Sequence, residues 1–288
     1  MLTITTPAEM RAWARVQHAA GRSIGLVPTM GALHRGHREL IADAARRADA
    51  VVVSIFVNPL QFNEPADFDR YPRPIDDDVD VCAAAGVAAV FAPTAATMYP
   101  TGFQTRVLPG ALGDVMEGPG RPGHFEGVLT VVAKLFGATA ADIALFGQKD
   151  YQQLRLVTQM ASDLDLGVEI VGHPIVRDDD DVAMSSRNVR LDDEQRAAAV
   201  CIPRALAAAA TTAASAHDAD AVVDAARAVL DDEPLAAVEY VTVFEAETLE
   251  PVESIEVGQR RPGAVRIAAA VWFGDVRLID NRDLFDGG

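Results

Sequence analysis

The sequence predicts an α/β fold, with a doubly wound parallel sheet in the first part of the chain and a smaller α+β domain after it. Short apolar segments alternate with helical patterns up to about residue 176, which is typical of a parallel sheet covered by helices. After the stretch RDDDDVAMSSRN the pattern changes to Ala-rich helices and then to strands. We therefore predict two domains, residues 1–175 and residues 176–288.

The predicted elements of the first domain follow one another with short connections. The segment RSIGLVP is a short apolar strand, and the next segment predicts a helix with Leu40, Ile41, Ala44 and Ala45 at helical spacing. Asp76 to Asp78 suit the start of a later helix, because carboxylates are stabilised at the positive end of the helix dipole. Further strands are predicted at 50–57, 87–93, 141–147 and 167–176, and further helices at 123–139 and 150–164.

The second domain begins with two Ala-rich helices, predicted at about 192–214 and 218–231. The segments AAVEYVTVFEA and AVRIAAAVWFGDVRLIDN then predict strands. Within the second segment, Gly274-Asp275 is a dipeptide typical of a two-residue β-hairpin turn. Helices followed by strands joined in this way predict an α+β unit.

The composition limits the possible partners and the cellular compartment. A formal net charge of −17 argues against a nucleic-acid partner, which requires clustered basic residues. No segment approaches the roughly 20 apolar residues of a membrane helix, and no secretory signal is visible. Cys82 and Cys201 form neither a disulfide framework nor a metal-ligand spacing, which predicts a reducing cytoplasm.

Two of the six histidines lie three residues apart in VPTMGALHRGH, where a strand is predicted to turn into a helix. Ligands of doubly wound sheets bind at the carboxyl ends of the strands, and the free N–H groups of a helix N-terminus bind anions. His34 and His37 would add hydrogen-bond donors for phosphate oxygens, and Gly36 would let a nucleotide approach the main chain. The segment therefore predicts a nucleotide-binding turn. The alternative is that both histidines cap the helix or lie on the surface.

Two further segments have side chains that suit phosphate. Only two of the 25 basic residues are lysines, and Lys149 of FGQKDYQQ follows a predicted strand. A point charge about 4 Å from a phosphate is worth about 4 kcal/mol at an effective dielectric constant of 20. The segment MSSRN supplies two hydroxyl groups and the guanidinium of Arg187, which can bind phosphate through two parallel hydrogen bonds. Asp150 either caps the following helix or contacts a ribose or a metal ion.

Six motifs in order carry a family resemblance: PTMGALHRGH, SIFVNPLQF, YPR, HFEGVLTVVAKLF, FGQKDYQQ and MSSRN. They resemble the nucleotidylyltransferase superfamily and, within it, the pantothenate synthetase (pantoate–β-alanine ligase) family, along essentially the whole chain. The resemblance implies a Rossmann-like fold, a homodimer and an ATP-dependent reaction in two steps. Pantoate and ATP would give pantoyl adenylate and pyrophosphate, and β-alanine would then displace AMP to form pantothenate.

The resemblance also implies the roles of individual residues. His37 would be the proton donor, with His34 and Lys149 as further catalytic groups. Gln61 and Gln153 would bind pantoate, and Gln61 would also bind β-alanine. The residues of the ATP site would be Met30, Gly31, Ala32, Leu33, His34, Arg35, Gly36, His37, Gly147, Gln148, Lys149, Asp150, Val176, Met184, Ser185, Ser186 and Arg187.

Pyrophosphate release normally requires Mg²⁺, which keeps several waters and binds through the phosphates, so no protein ligand for the metal is predicted. The chain departs from the family at Asp181, where most members have glycine, and in the stretch FNEPAD that includes Glu64. Glycine would allow a positive φ, which aspartate adopts less readily. Both departures concern loop geometry rather than residues expected to perform chemistry.

Two other functions are compatible with the motifs. A different nucleotidylyltransferase would act on an acceptor that carries phosphate, which requires basic residues near Gln61, and FVNPLQF has none. A non-catalytic nucleotide-binding module would not need the complete set of histidine pair, lysine and MSSR segment. A tRNA synthetase of the same superfamily is disfavoured by the acidic charge and the small second domain.

Overall fold

The computed structural model describes residues 1–63 and 65–286. The chain divides into two compact units, one of residues 1–148 and 152–174, the other of residues 149–151 and 175–288. The short segment 149–151 thus groups with the second unit, although the chain on either side of it belongs to the first. Over the described ranges, no helix is both long enough and apolar enough to cross a membrane.

A parallel sheet forms the centre of the first unit. Its strands, as described, are β1 (Leu2–Ile4), β2 (Ile24–Thr29), β3 (Ala50–Ile55), β4 (Ala89–Phe91), β5 (Ile143–Gly147) and β6 (Glu169–His173). They lie in the order β1-β4-β3-β2-β5-β6. The chain begins at the edge strand β1, runs from the central strand β2 through β3 to β4, and then continues on the other side of β2 with β5 and β6. Every residue of β3 is buried, which is typical of a central strand covered by helices on both faces. The predicted doubly wound parallel sheet is confirmed.

The helices of the first unit are α1 (Pro7–Ala19), α2 (Arg35–Arg47), α3 (Pro65–Arg70), α4 (Ile75–Ala84), α5 (Ala95–Met98), α6 (Glu117–Gly120), α7 (His124–Thr139) and α8 (Tyr151–Asp163). Helix α2 packs through Leu40, Ile41 and Ala44 against Val27 and Val53 of the sheet. The prediction is wrong for Ala45, which is exposed because it lies on the solvent side of the helix.

Strand β1 and helix α1 are not among the predicted elements. Helix α1 nevertheless begins with standard signals, because Thr6 accepts a hydrogen bond from the Glu9 N–H at 3.2 Å and Pro7 occupies the first helical position.

The second unit combines helices with an antiparallel sheet, as predicted. Its helices are α9 (Asp193–Ala198), α10 (Cys201–Ala213) and α11 (Ala219–Asp231), and its strands are β7 (Ala237–Glu245), β8 (Val265–Phe273) and β9 (Val276–Asp283). Phe273 pairs with Val276, so Gly274-Asp275 is the two-residue hairpin loop, and Gly274 has a φ of +60°.

The prediction of one continuous helix over 192–214 is wrong. The helix stops after Ala198 and a new one begins at Cys201. Pro203 explains the interruption, because proline has no N–H to donate to the carbonyl group of Ala199 and its ring clashes with that group.

Candidate functional site

The turn between β2 and α2 is held in place by a buried carboxylate. Gly31 and Ala32 have positive φ angles of +87° and +52°, which reverse the chain after the strand. Asp78 on α4 then accepts two main-chain hydrogen bonds, from Ala32 N at 2.8 Å and from Leu33 N at 2.7 Å. Hydrogen bonds to an ionised acceptor are stronger than neutral ones, so Asp78 stabilises the turn that precedes the histidine pair.

The histidine pair caps α2 and presents hydrogen-bond donors at the same time. His34 Nδ1 accepts from Gly36 N at 3.1 Å, and His37 Nδ1 accepts from His34 N at 3.3 Å. A main-chain N–H can only donate, so Nδ1 of each ring carries no hydrogen and each neutral ring is protonated at Nε2. The capping role and the phosphate-binding role that the sequence suggested are therefore compatible.

His37 is neutral at pH 7 in the protein without nucleotide. Burial is the larger cause and the neighbouring His34 the smaller one, and together they lower the pKa of His37 to about 3. The two rings lie 4.1 Å apart between centroids. The hydrogen that His37 can offer to a ligand in a hydrogen bond is thus the one on Nε2 of the neutral ring.

Gln61 lies in a single 3₁₀ turn, Pro59–Gln61, that follows β3. Its Nε2 is 3.0 Å from the Sδ of Met30, so the structure brings these two predicted site residues into contact. Its Oε1 accepts a hydrogen bond from Asn58 Nδ2 at 3.0 Å. Glu64 of the stretch FNEPAD lies outside the described residues.

The neighbouring Asn58 determines which end of the Gln61 amide is the donor. Asn58 is buried, its Nδ2 also donates to the carbonyl of Gly127 at 3.0 Å, and its Oδ1 accepts from Tyr99 Oη at 2.8 Å. The carbonyl of Gly127 can only accept, which fixes the orientation of the Asn58 amide. Gln61 must then turn its oxygen to Asn58 and its N–H groups away from it. Asn58 is not among the predicted site residues, although an asparagine before proline is a recognisable turn signal.

Two adjacent glutamines on α8 have different surroundings. Gln152 is buried and holds the segment before α6, accepting from Glu117 N at 3.0 Å and donating to the carbonyls of Leu112 and Val115 at 2.8 Å. The side chain of Gln153 is half-buried and forms no side-chain hydrogen bond with the residues that the structure describes. Gln152 is therefore a structural residue, whereas Gln153 holds no part of the main chain in this way.

Lys149 belongs to the second unit and lies in a 3₁₀ turn, Gln148–Asp150, that separates β5 from α8. Its side chain is 17% exposed, and its Nζ lies 4.0 Å from Asp150 Oδ2, the limit of an ion pair. Lys149 thus lies just after a parallel strand, the position that the sequence predicts for it.

The segment Met184–Arg187 is a loop of the second unit. The N–H of Met184 donates to the carbonyl of Val176 at 3.0 Å at the base of a hairpin-like loop, and the N–H of Asp181 donates to the carbonyl of Asp178 at 3.0 Å in the turn at its tip. Asp181 has a φ of +67°, the conformation for which the family's glycine is suited. In the loop itself, Ser185 Oγ accepts from Arg187 N at 3.2 Å.

No metal cluster is present among the residues that the structure describes, since no three His, Cys, Asp or Glu side chains come together. Cys82 and Cys201 are both buried and unpaired. Burial raises the pKa of Cys82 to about 11 and that of Cys201 to about 12, so both are neutral thiols at pH 7.

Comparisons with known proteins give a consistent result. The sequence model described as pantoate-beta-alanine ligase matches residues 2–283. The pantothenate synthetase of Mycolicibacterium smegmatis is 50% identical over 278 residues, which cover 96% of this chain and 85% of the relative. The pantothenate synthetase of Aquifex aeolicus is 46% identical over 275 residues, 95% of each chain.

Solved structures agree with the sequence comparisons. The pantothenate synthetase of Thermus thermophilus superposes with a TM-score of 0.91 at 42% identity, covering 99% of this chain and all of the other. The pantoate-beta-alanine ligase of Francisella tularensis, complexed with beta-gamma ATP and beta-alanine, superposes with a TM-score of 0.78 at 31% identity. That match covers 100% of this chain and 99% of the other.

Proposed function

This chain belongs to the pantoate-beta-alanine ligase family, and on that premise we propose that it activates pantoate as an acyl adenylate before joining it to beta-alanine. The enzyme is a ligase that forms the amide bond of pantothenate. ATP is its energy-supplying substrate, in keeping with the Francisella tularensis relative, whose structure holds an ATP-type ligand and beta-alanine.

The pair of imidazoles at the start of α2 is the observation that carries the proposal. His34 and His37 both have their hydrogen on Nε2, because a main-chain N–H occupies Nδ1 of each ring. Two such donors beside a helix N-terminus suit the oxygens of a phosphate group on which negative charge increases during the reaction. Catalysis of phosphoryl and nucleotidyl transfer depends mostly on positioning and on electrostatic stabilisation of this kind.

The proposed reaction has two steps. A carboxylate oxygen of pantoate attacks the α-phosphorus of ATP, and the bond from that phosphorus to the bridging oxygen breaks, so that pyrophosphate leaves with the electron pair. The amino nitrogen of beta-alanine then attacks the acyl carbon, the bond to the AMP oxygen breaks, and the nitrogen loses a proton. His37 and His34 donate hydrogen bonds to phosphate oxygens, and the charge of Lys149 stabilises the departing pyrophosphate.

We assign ATP binding to four segments. They are Met30–His37, Gly147–Asp150, Val176 and Met184–Arg187. Lys149→Ala should lower the rate of adenylate formation by more than it weakens ground-state binding of ATP, because its charge is needed most as pyrophosphate departs. Equal losses in ATP affinity and in kcat/KM, with kcat unchanged, would show that Lys149 binds ATP but does not stabilise the transition state.

Gln61 and Gln153 are assigned to pantoate, and Gln61 also to beta-alanine. The Gln61 amide turns its N–H groups away from Asn58, so it offers donors to the carboxylate and hydroxyl oxygens of the substrate. Gln61→Ala and Gln153→Ala should each raise the KM for pantoate more than that for ATP. Gln159→Ala, on the exposed part of α8, is the matched control and should change neither constant.

Mg²⁺ is proposed to enter with ATP. It binds phosphate oxygens and keeps several waters, so its affinity need not depend on a cluster of protein carboxylates. Chelation should abolish pyrophosphate exchange, and added Mg²⁺ should restore it. Retained exchange in the presence of excess chelator would contradict the proposal.

Isotope exchange separates this function from its alternatives. Pantoate alone should support exchange between ATP and pyrophosphate, with beta-alanine absent. A different nucleotidylyltransferase would require another acceptor, and a non-catalytic nucleotide-binding module would not exchange at all. With pantoate labelled by ¹⁸O in the carboxyl group, one labelled oxygen should appear in AMP. Label in inorganic phosphate together with ADP would instead indicate an acyl phosphate and refute the adenylate step.

We also propose a cytoplasmic homodimer. Two unpaired, buried cysteines suit a reducing compartment, and the dimer is what the family resemblance implies. Light scattering after size-exclusion chromatography should give about twice the mass of one chain.

A further inference from the structure

The last strand of the second unit carries Asn281, whose side chain is hydrogen-bonded to the main chain of Lys149. Asn281 lies on β9 and is 2% exposed. Its Nδ2 donates to the carbonyl oxygen of Lys149 at 2.9 Å, across 132 residues of sequence. Its Oδ1 accepts from Nε of Arg266 at 3.1 Å and from Nη2 of Arg266 at 2.8 Å.

The orientation of the Asn281 amide is fixed by its two partners. A guanidinium can only donate hydrogen bonds and a carbonyl can only accept them. The amide oxygen must therefore face Arg266, and the amide nitrogen must face Lys149. The reverse orientation would place two acceptors against each other at one end and two donors at the other, with both ends buried.

The groups around Asn281 are themselves immobilised. Its own N–H donates to Asp280 Oδ1 at 2.8 Å, and the Arg266 guanidinium stacks 4.3 Å from the centroid of the Tyr151 ring. Tyr151 Oη donates to the carbonyl of Ala246 at 3.1 Å. The segment 149–151 is thus held at both of its ends by residues of the second unit, with Asn281 at the end that carries the lysine.

We propose that Asn281 is a positioning residue for Lys149, fixing the main chain from which the catalytic ammonium group extends. The proposal rests on the role of Lys149 in adenylate formation given above. A lysine side chain is a flexible four-carbon stem, so its ammonium group is well placed only if its main chain is fixed. Displacement of a reacting group by about 1 Å can cost about 100-fold in rate, which is why such supporting hydrogen bonds matter.

Asn281→Asp tests the proposal with almost no change in shape. The new carboxylate still accepts from Arg266, but its second oxygen faces the carbonyl of Lys149, where it repels instead of donating. The single-turnover rate of adenylate formation should fall by about 10- to 100-fold. Asn281→Ser, which removes the amide without adding charge, should also lower this rate. It replaces Asn281→Asp as the test if the aspartate variant folds poorly.

The specific readout is a double-mutant cycle with Lys149→Ala. If Asn281 acts through Lys149, adding Asn281→Asp to Lys149→Ala should lower the remaining rate by less than about twofold. Val271→Ala is the control for general destabilisation, because Val271 is fully buried in the core of the same unit and pairs with Leu278, whereas Asn281 pairs with Ala268. It should lower Tm while leaving the adenylation rate unchanged at temperatures well below that Tm.

The possible failures are distinguishable. If Lys149→Ala loses rate but Asn281→Asp does not, or if the two losses multiply in the double variant, positioning by Asn281 is refuted and the role of Lys149 stands. If Val271→Ala reproduces the rate loss, Asn281 acts only through stability. If Lys149→Ala keeps its full adenylation rate, the proposed role of Lys149 fails, and the proposal for Asn281 fails with it.

Discussion

Replacing His37 by asparagine should remove part of the sensitivity of the folded enzyme to acid. In the unfolded chain His37 has its ordinary pKa of 6.5, whereas burial and then His34 lower the folded-state value to about 3. Between these two pH values the unfolded state binds a proton that the folded state does not. The contribution of His37 is therefore fully present above pH 6.5 and is lost as the pH falls from 6.5 towards 3.

The magnitude follows from the titration of the unfolded state. From about pH 7.5 to about pH 5.5, an unfolded imidazole takes up almost one proton while the folded one takes up none. The free energy of unfolding should then fall by about 1.4 kcal/mol because of His37 alone. This decrease in the free energy of unfolding is the same for any folded-state pKa of His37 well below about 5.5.

Urea denaturation at the two pH values is the appropriate assay, because it compares free energies at one temperature. Asparagine suits position 37 because its Oδ1 can still accept the His34 N–H, while its amide does not titrate. The fall in stability between the two pH values should be about 1.4 kcal/mol smaller in His37→Asn than in the natural chain. Ile41→Val, buried on the same helix, is the control and should lower stability equally at both pH values. Equal pH dependence in the natural chain and in His37→Asn would refute the low pKa.

Three further substitutions, with Gly137→Ala as a control, test the backbone of the site by urea denaturation. Gly31→Ala should cost about 1–3 kcal/mol, because φ is +87° and the new Cβ would lie 2.7 Å from the carboxylate that holds the turn. Gly127→Ala should cost about 1–3 kcal/mol and raise the KM for pantoate, because its methyl group would displace the backbone of the turn carrying Gln61. Gly137→Ala on the same helix meets nothing within 4 Å and should be neutral or stabilising. Asp181→Gly should stabilise the chain by about 1 kcal/mol by relieving a φ of +67°, with activity unchanged. A destabilised Asp181→Gly variant would show that the aspartate side chain contributes more than its backbone costs.

The parts of the fold that the sequence predicts are those determined by local pattern. The apolar face of α2 and the hairpin at Gly274-Asp275 follow from spacing and from turn chemistry within a few residues. The break before Pro203 is equally local, and the proline is a signal from which it can be predicted. Strand β1 has no such signal, because three residues carry too little periodicity to distinguish a strand from a loop.

The parts of the site that the sequence does not predict depend on distant partners. Asp76, Asp77 and Asp78 look alike in the sequence, where all three suit a helix start. Only the structure distinguishes Asp78, which is 2% exposed and accepts from a main-chain group 46 residues away. Asn58 is similar, since its orientation depends on a carbonyl group 69 residues further along the chain.

The hydrogen bond between Lys149 and Asn281 has a consequence for synthesis on the ribosome. Residue 281 is translated 132 residues after residue 149, and at about 5–20 residues per second this interval lasts roughly 7 to 26 seconds. For most of that time the nascent chain already contains the histidine turn and strands β1 to β6 of the parallel sheet. The main chain of Lys149, however, still lacks its hydrogen bond from Asn281. A product of premature termination that lacks the last strand would therefore carry every expected catalytic group and still lack the support of one of them.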